Sequence, residues 1–242
     1  MIVPYFGPSE NAAPGLDPER GDCHLAPHME WSVIMTKALL LIDIQNGFCP
    51  GGNLPVADGD EVVSVANRLM ASGKYDIIVA SQDWHPSNHG SFASQHRGKK
   101  PFDMGELSGQ PQVMWPDHCV QDSVDAEFHP ELATDRIDFV QRKGENPRVD
   151  SYSAFRDNDK AALTGLADWL KAKGVTELDV MGLATDYCVK FSALDAVDML
   201  PGVKVRLIAD GCRGIDPKGV EEAIEAMRQA GVEITDSSRI GF

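Results

Sequence analysis

Short apolar runs that alternate with helix-like segments are the feature that most limits how this chain can fold. The first run, residues 37–43, is aliphatic almost throughout and ends in Asp43. Unbroken runs of this kind are typical of central parallel strands, which are buried on both faces. We predict an α/β fold with a parallel sheet and helices on both of its faces. The predicted strands cover residues 37–43, 75–81, 137–144, 178–183, 203–209 and 232–235, and the predicted helices cover 58–72, 157–173, 186–200 and 217–230.

Residues 1–35 differ from the rest of the chain. They contain several prolines and scattered charges but no sustained period of a strand or a helix. We interpret them as an N-terminal extension, poorly ordered or extraneous to the native chain, and residues 36–242 as one domain. Within that domain, residues 86–136 show little regular period, and a loop of that length in a compact domain is usually functional.

Charge and cysteine content restrict the partners. The formal net charge of -15 disfavours binding to nucleic acid or to anionic membrane surfaces. No apolar run approaches the roughly 20 residues of a membrane span. The five cysteines are widely spaced and odd in number, which favours a reducing cytoplasmic compartment.

Ionisable residues follow several of the predicted strands. In open parallel sheets, sites lie beyond the carboxyl ends of the strands. The residues that occupy those ends here are Asp43, Asp83, His85, Lys143 and Cys188. The sequence therefore predicts a functional site at this edge of the sheet.

Cys188 is the candidate nucleophile, because it stands where a strand turns into a helix. The helix end favours the thiolate, and a nearby lysine would lower the pKa of the thiol further. Taken singly, Cys188 could be a packed small side chain, and Asp43 with Lys143 could be an internal ion pair. Three ionisable groups at one sheet edge are costly unless they are used, which favours Asp43 as proton acceptor and Lys143 as assisting cation.

Metal-binding residue types cluster after the second strand. Asp83 and His85 lie on the same side of an extended segment, and His118 in the long loop is a candidate third ligand. Two imidazole nitrogens and one carboxylate oxygen with open positions suit a catalytic zinc or iron ion. His89 could be a further ligand or a neighbour of the ligands.

Aromatic residues near these positions could form a flat apolar pocket for an aromatic ligand. The residues are Phe48, Trp84, Trp115 and Tyr152. For Trp84, packing in the core is an equally good interpretation.

A set of motifs resembles the nicotinamidases, which are isochorismatase-like cysteine hydrolases. The resemblance runs from about residue 37 to the C-terminus and leaves the N-terminal extension outside. Its motifs are Asp43-Ile-Gln-Asn, Pro50-Gly-Gly, Gly59-Asp-Glu-Val, Asp83-Trp-His-Pro, His89-Gly-Ser-Phe, Trp115-Pro-Asp-His-Cys-Val, Lys143-Gly, Asp150-Ser-Tyr-Ser-Ala-Phe and Gly182-Leu-Ala-Thr-Asp-Tyr-Cys-Val.

The resemblance implies hydrolysis of nicotinamide, and of pyrazinamide, in NAD salvage. It makes Asp43 the acid/base, Lys143 the cation that stabilises the thiolate, and Cys188 the nucleophile. It also implies a cis peptide between Leu183 and Ala184, with an oxyanion hole formed by the backbone N–H groups of Ala184 and Cys188.

The same resemblance assigns the ligands and the fold. One divalent metal ion, with zinc favoured and iron or manganese as alternatives, would bind Asp83, His85 and His118 and hold the pyridine nitrogen. The pocket residues would be Phe48, Trp115 and Tyr152. The fold implied is a three-layer, Rossmann-like α/β fold, with a six-stranded parallel sheet in the order 3-2-1-4-5-6.

One position departs from the family pattern, and two other functions stay open. The family usually has an aspartate where this chain has Gly47, so we expect altered loop packing with unchanged chemistry. The rivals are hydrolysis of another small amide and a non-catalytic metal-binding module. We expect no nucleic acid or membrane partner, and the chain could form a homo-oligomer.

Overall fold

Six parallel strands form the main sheet of the computed structural model, which describes residues 35–240. The strands of the described residues are β1 (Thr36–Ile42), β2 (Ile77–Asp83), β3 (Met104–Leu107), β4 (Gln110–Val113), β5 (Phe139–Lys143), β6 (Val175–Leu183), β7 (Lys204–Arg213) and β8 (Glu233–Thr235). The order in the main sheet is β5-β2-β1-β6-β7-β8, which confirms the predicted order 3-2-1-4-5-6, because β3 and β4 form a separate hairpin. The extension predicted for residues 1–35 falls outside the described residues except at Met35.

Within residues 35–240, four α-helices flank the sheet. They are α1 (Glu61–Ala71), α2 (Leu166–Ala172), α3 (Lys190–Met199) and α4 (Pro217–Gln229). Helix α4 begins at Pro217 as predicted, and the Asp216 side chain caps it by accepting the N–H of Gly219. Among the described residues, no helix combines the length and the apolar character needed to cross a bilayer.

The aliphatic run of β1 lies at the centre of the sheet. It pairs in parallel with β2 on one side and β6 on the other, and residues 38–42 have no exposed surface. Burying these side chains contributes to the hydrophobic stabilisation of the domain. Since both neighbours run parallel to β1, the ends of β1, β2 and β6 meet at one edge.

Two predicted segments differ from the structure. The helix predicted for 157–173 is wrong over its first half, because α2 begins at Leu166 after Gly165, and Leu163 is 61% exposed. The segment before it is held by loop hydrogen bonds, such as the Thr164 hydroxyl donating to the carbonyl of Ala154. Residues 86–136, which show little period in sequence, contain the antiparallel hairpin β3–β4.

Gly182 permits the close approach of β6 to β1. Its φ is +126°, and a Cβ there would overlap the carbonyl oxygen of Ile42 and lie 2.8 Å from its nitrogen. Both the backbone conformation and the space therefore require glycine.

We expect Gly182→Ala to lower the free energy of unfolding by about 2 kcal/mol or more, because a steric overlap adds to the backbone strain. Urea unfolding measures this difference. Gly73→Ala is the matched control, since Gly73 has φ +68° with nothing within 4 Å of a Cβ. Equal losses in the two variants would show that the close approach to Ile42 does not matter.

Candidate active site

Asp43, Lys143 and Cys188 meet at the carboxyl edge of the sheet. Asp43 follows β1, Lys143 ends β5, and Cys188 lies in a π-helical turn, Thr185–Val189, directly after β6. The Lys143 Nζ lies 3.0 Å from Oδ2 of Asp43 and 3.5 Å from Sγ of Cys188. It also lies 2.5 Å from Oδ1 of Asp83. The structure thus brings together the three residues predicted for the chemistry.

Ser81 on β2 orients Asp43. Its hydroxyl donates to Oδ1 of Asp43 at 2.6 Å, and its oxygen accepts the backbone N–H of Asp43 at 3.2 Å. The other oxygen, Oδ2, accepts no hydrogen bond within residues 35–240, although it faces Lys143. Burial raises the pKa of Asp43, Lys143 opposes this, and Asp83 adds to the rise. Asp43 therefore has a free lone pair and an affinity for a proton.

Lys143 is a fully enclosed cation. Its ammonium group also donates to the carbonyl of Ser151 at 3.0 Å. Burial alone would lower the pKa of Lys143, but Asp43 and Asp83 outweigh it and raise the pKa well above its ordinary value. The side chain consequently stays charged and balances the two carboxylates.

Cys188 rests as a thiol. Burial raises the pKa of Cys188 well above its ordinary value; Lys143 lowers it, and Asp43 and Asp83 raise it further. Lys143 therefore acts on this pKa in the predicted direction, but burial and the two carboxylates outweigh it and leave the pKa raised. A base is therefore needed to remove the proton. Asp43 and Asp83 each have a carboxylate oxygen within 4.8 Å of the Cys188 sulfur.

The peptide between Leu183 and Ala184 is cis, as predicted. It joins the end of β6 to the turn that carries Cys188. Both residues are buried.

Asp83, His85 and His118 converge on one point, and all three are buried. Oδ2 of Asp83 lies 3.5 Å from Nε2 of His85 and 3.8 Å from Nε2 of His118. The Nδ1 atoms of the two rings meet the carbonyls of Gly144 and Pro116, so each must donate its hydrogen there. In neutral rings, both Nε2 lone pairs then face the carboxylate. This donor set fits a divalent transition metal ion.

His89 lies beside this cluster in a different hydrogen-bonding state. Its Nδ1 accepts the backbone N–H of Ser91 at 3.3 Å and lies 2.7 Å from the Ser91 hydroxyl. Burial and the neighbouring His85 lower the pKa of His89 to about 4, so the ring is neutral. Its Nε2 then carries the hydrogen, and this buried atom finds no partner within the described part of the chain.

A small cavity opens beside Cys188 and the metal-ligand cluster. Phe48, Trp115 and Tyr152 line it, as predicted from the sequence. Trp84 does not line it, because its ring packs under the guanidinium of Arg142 at 3.9 Å. The pocket is therefore narrow, aromatic and next to the candidate nucleophile.

Four lining residues were absent from the predicted pocket: Leu54, Asp150, Tyr187 and Ile215. Asp150 and Tyr187 belong to the motifs that resemble the nicotinamidases, so the sequence contained a signal for both residues. Ile215 follows β7 in an ordinary loop sequence and carried none. Gln112 on the hairpin was also missed; it donates to Asp150 at 2.7 Å and to the Tyr152 hydroxyl at 3.1 Å.

The space beside Gly47 is filled by Asp125. A Cβ at position 47 would lie 2.7 Å from Oδ2 of Asp125 and 2.8 Å from Sγ of Cys119. The Asp125 carboxylate accepts the N–H groups of Cys119 and Asn53. A carboxylate from another loop thus occupies the room that a side chain at position 47 would need.

We expect Gly47→Asp to lower the free energy of unfolding by about 2 kcal/mol, because it adds a clash and a second negative charge beside Asp125. In the Asp125→Ala background, the same substitution should cost clearly less. Urea unfolding of the two single variants and the double variant measures this coupling. Additive losses would contradict the steric competition.

Comparison with known proteins places the chain in a family. Residues 37–239 match the model of the isochorismatase domain. The chain therefore belongs to the isochorismatase family.

Within this family, the chain is similar to nicotinamidases. It is 54% identical over 202 residues to the nicotinamidase of Escherichia coli (strain K12), which covers 82% of this chain and 93% of the relative. The structure of an Acinetobacter baumanii nicotinamidase/pyrazinamidase aligns with a TM-score of 0.81 and 45% identity, over 85% of this chain and 98% of that one. A Pyrococcus horikoshii pyrazinamidase solved in complex with zinc aligns with a TM-score of 0.66 and 35% identity, over 83% and 98% of the two chains.

Proposed function

We propose that this protein is a nicotinamidase that hydrolyses nicotinamide to nicotinate and ammonia in NAD salvage, and that it also hydrolyses pyrazinamide. The observation that carries the proposal is the meeting of Asp43, Lys143 and Cys188 around one ammonium group, beside a narrow aromatic pocket. The similarity to nicotinamidases supports the choice of amide.

The first step transfers a proton from Cys188 to Asp43. Oδ2 of Asp43, which also faces the Lys143 ammonium group, is the acceptor, because the Ser81 hydroxyl donates to Oδ1. The resulting thiolate attacks the carboxamide carbon of the substrate. The Lys143 ammonium group compensates the negative charge of the thiolate. A tetrahedral oxyanion forms, for which we assign the backbone N–H groups of Ala184 and Cys188 as donors.

The later steps return the proton and release the products. The oxyanion collapses as Asp43 gives its proton to the departing ammonia, which leaves a thioester on Cys188. Asp43 then takes a proton from water, and the water oxygen attacks the thioester carbon. Nicotinate leaves when the Cys188 sulfur departs and regains its proton from Asp43.

We expect Cys188→Ala to abolish ammonia release while nicotinamide still binds, since only the nucleophile is lost. A coupled ammonia assay and calorimetry measure the two properties. Cys212→Ala is the matched control, because Cys212 is also a buried thiol but bonds to the carbonyl of Ile208, on strand β7. Turnover by the Cys188→Ala variant would contradict the proposed mechanism.

We assign Asp83, His85 and His118 as ligands of one divalent metal ion, with zinc preferred and iron or manganese as alternatives. Burial lowers the pKa of His118 to about 4, which keeps this ring neutral, as a ligand must be. For His85, burial lowers the pKa but Asp83 outweighs it and raises the pKa, so binding of the ion would displace the His85 proton. His89 would become a further metal ligand only if its ring hydrogen moved from Nε2 to Nδ1, where it could be donated to the Ser91 hydroxyl. When bound, the ion would supply a Lewis acid that can take up the pyridine nitrogen of the substrate.

The pocket complements a flat ring. Trp115 meets Tyr187 edge to face at 4.9 Å and Tyr152 at 6.3 Å between ring centroids. Its indole N–H donates to the Tyr152 hydroxyl, which keeps these rings in place. Together with Phe48, they form the aromatic wall that we assign to substrate binding.

We expect a chelator to reduce ammonia release at least about tenfold, with recovery on addition of zinc. His118→Ala should lower the metal content measured by mass spectrometry, because it removes one of three ligands. His129→Ala is the control, since that histidine lies outside the cluster. Full activity in demonstrably metal-free protein would contradict the metal site, and adding iron or manganese in parallel tests the preference.

We also place the reaction in the cytoplasm. Cys49, Cys119, Cys188 and Cys212 are all free thiols. Free buried thiols and a cysteine nucleophile suit a reducing compartment.

A further inference from the structure

We propose that Asp186 is a positioning residue that holds Ile215 in the substrate pocket, and that Ile215 helps to set the affinity for a flat aromatic amide. The inference rests on the proposed function, since its readout is nicotinamide hydrolysis. It concerns an aspartate within the motif around Cys188 for which the proposed chemistry has no use.

The Asp186 carboxylate joins two loops. Asp186 lies in the same turn as Cys188 and is only 4% exposed. Oδ1 accepts the backbone N–H of Ile215, and Oδ2 accepts that of Asp216, both at 3.0 Å. Both oxygens of one buried carboxylate therefore bind the loop between β7 and α4.

Two glycines allow this loop to lie so close. A Cβ at Gly214 would lie 2.9 Å from Oδ1 of Asp186, and a Cβ at Gly219 would lie 3.1 Å from Oδ2. Gly219 belongs to the first turn of α4, where the positive end of the helix favours a carboxylate. The loop and the helix start are thus built around the charge of Asp186.

The loop places Ile215 against the reacting centre. Its side chain lines the same cavity as Cys188, Ala184 and Tyr187. Its backbone N–H is already bound to Asp186, so the position of the side chain depends on that carboxylate. An apolar side chain at this place contacts a bound ring in both the ground state and the transition state.

Loosening Ile215 should therefore raise KM more than it lowers kcat. Asp186→Asn retains one acceptor oxygen but turns an amide NH₂ toward the other backbone N–H. Losing a hydrogen bond to a charged acceptor should raise KM for nicotinamide about tenfold, with kcat within about twofold of the parent.

A double-mutant cycle on metal-loaded protein tests this coupling. We would measure KM and kcat for Asp186→Asn, Ile215→Ala and the double variant. If Asp186 acts through Ile215, the double variant should have a KM close to that of Ile215→Ala. The inference would be overturned if the KM increases of the two single variants multiplied in the double variant. It would also be overturned if Asp186→Asn left KM unchanged.

Two further variants separate local positioning from general damage. Asp216→Ala removes the cap of α4 in the same loop but leaves both bonds to Asp186, so its KM should stay near the parent value. If Asp186→Asn does not fold, Gly219→Ala replaces it in the cycle, because the added methyl crowds Oδ2 of Asp186. No change of KM in that variant would equally overturn the inference. Absence of ammonia release by the parent protein would instead overturn the proposed function.

Discussion

The buried ammonium group of Lys143 is the interaction on which the site depends. It contacts two carboxylates, Asp43 and Asp83, and the sulfur of Cys188, and none of these side chains is freely exposed. Burying two negative charges at one point would be prohibitive without a cation between them. Because Asp83 also faces the histidine cluster, Lys143 links the candidate nucleophile to the candidate metal site. A shift of Lys143 would therefore change both the surroundings of Cys188 and those of Asp83.

Hydrogen bonds from the loops hold this arrangement together. The side-chain amide of Gln45 donates to the carbonyl of Asp83 and accepts its backbone N–H, and it also donates to the carbonyl of Ala126. One glutamine thereby fixes a candidate metal ligand and attaches the long loop to the sheet. Gln112 holds the wall of the pocket in a similar way, because its side-chain amide donates to Asp150 and to the Tyr152 hydroxyl. The long loop is ordered by such bonds more than by regular structure.

Much of the fold and of the candidate site could be predicted from the sequence. The apolar runs identify the strands, and the parallel sheet follows from their alternation with helices. Asp43, Lys143 and Cys188 were found because each stands at a strand end. The errors have local causes: the 157–173 segment has helical periodicity but is held by loop hydrogen bonds before Gly165. The hairpin β3–β4 contains Gln110, Pro111 and Gln112, which have weak strand propensity.

The sequence by itself determined the order of elements, the edge of the sheet where chemistry can occur, and the residue types available there. Only the tertiary structure decided that the pKa of Cys188 is raised, because burial and the charges of Asp43 and Asp83 come from distant parts of the chain. It also decided that Ile215 lines the pocket and that Asp125 fills the space beside Gly47. These features depend on distances between residues far apart in sequence. No local periodicity encodes such distances, since they are set by how loops pack once the sheet has formed.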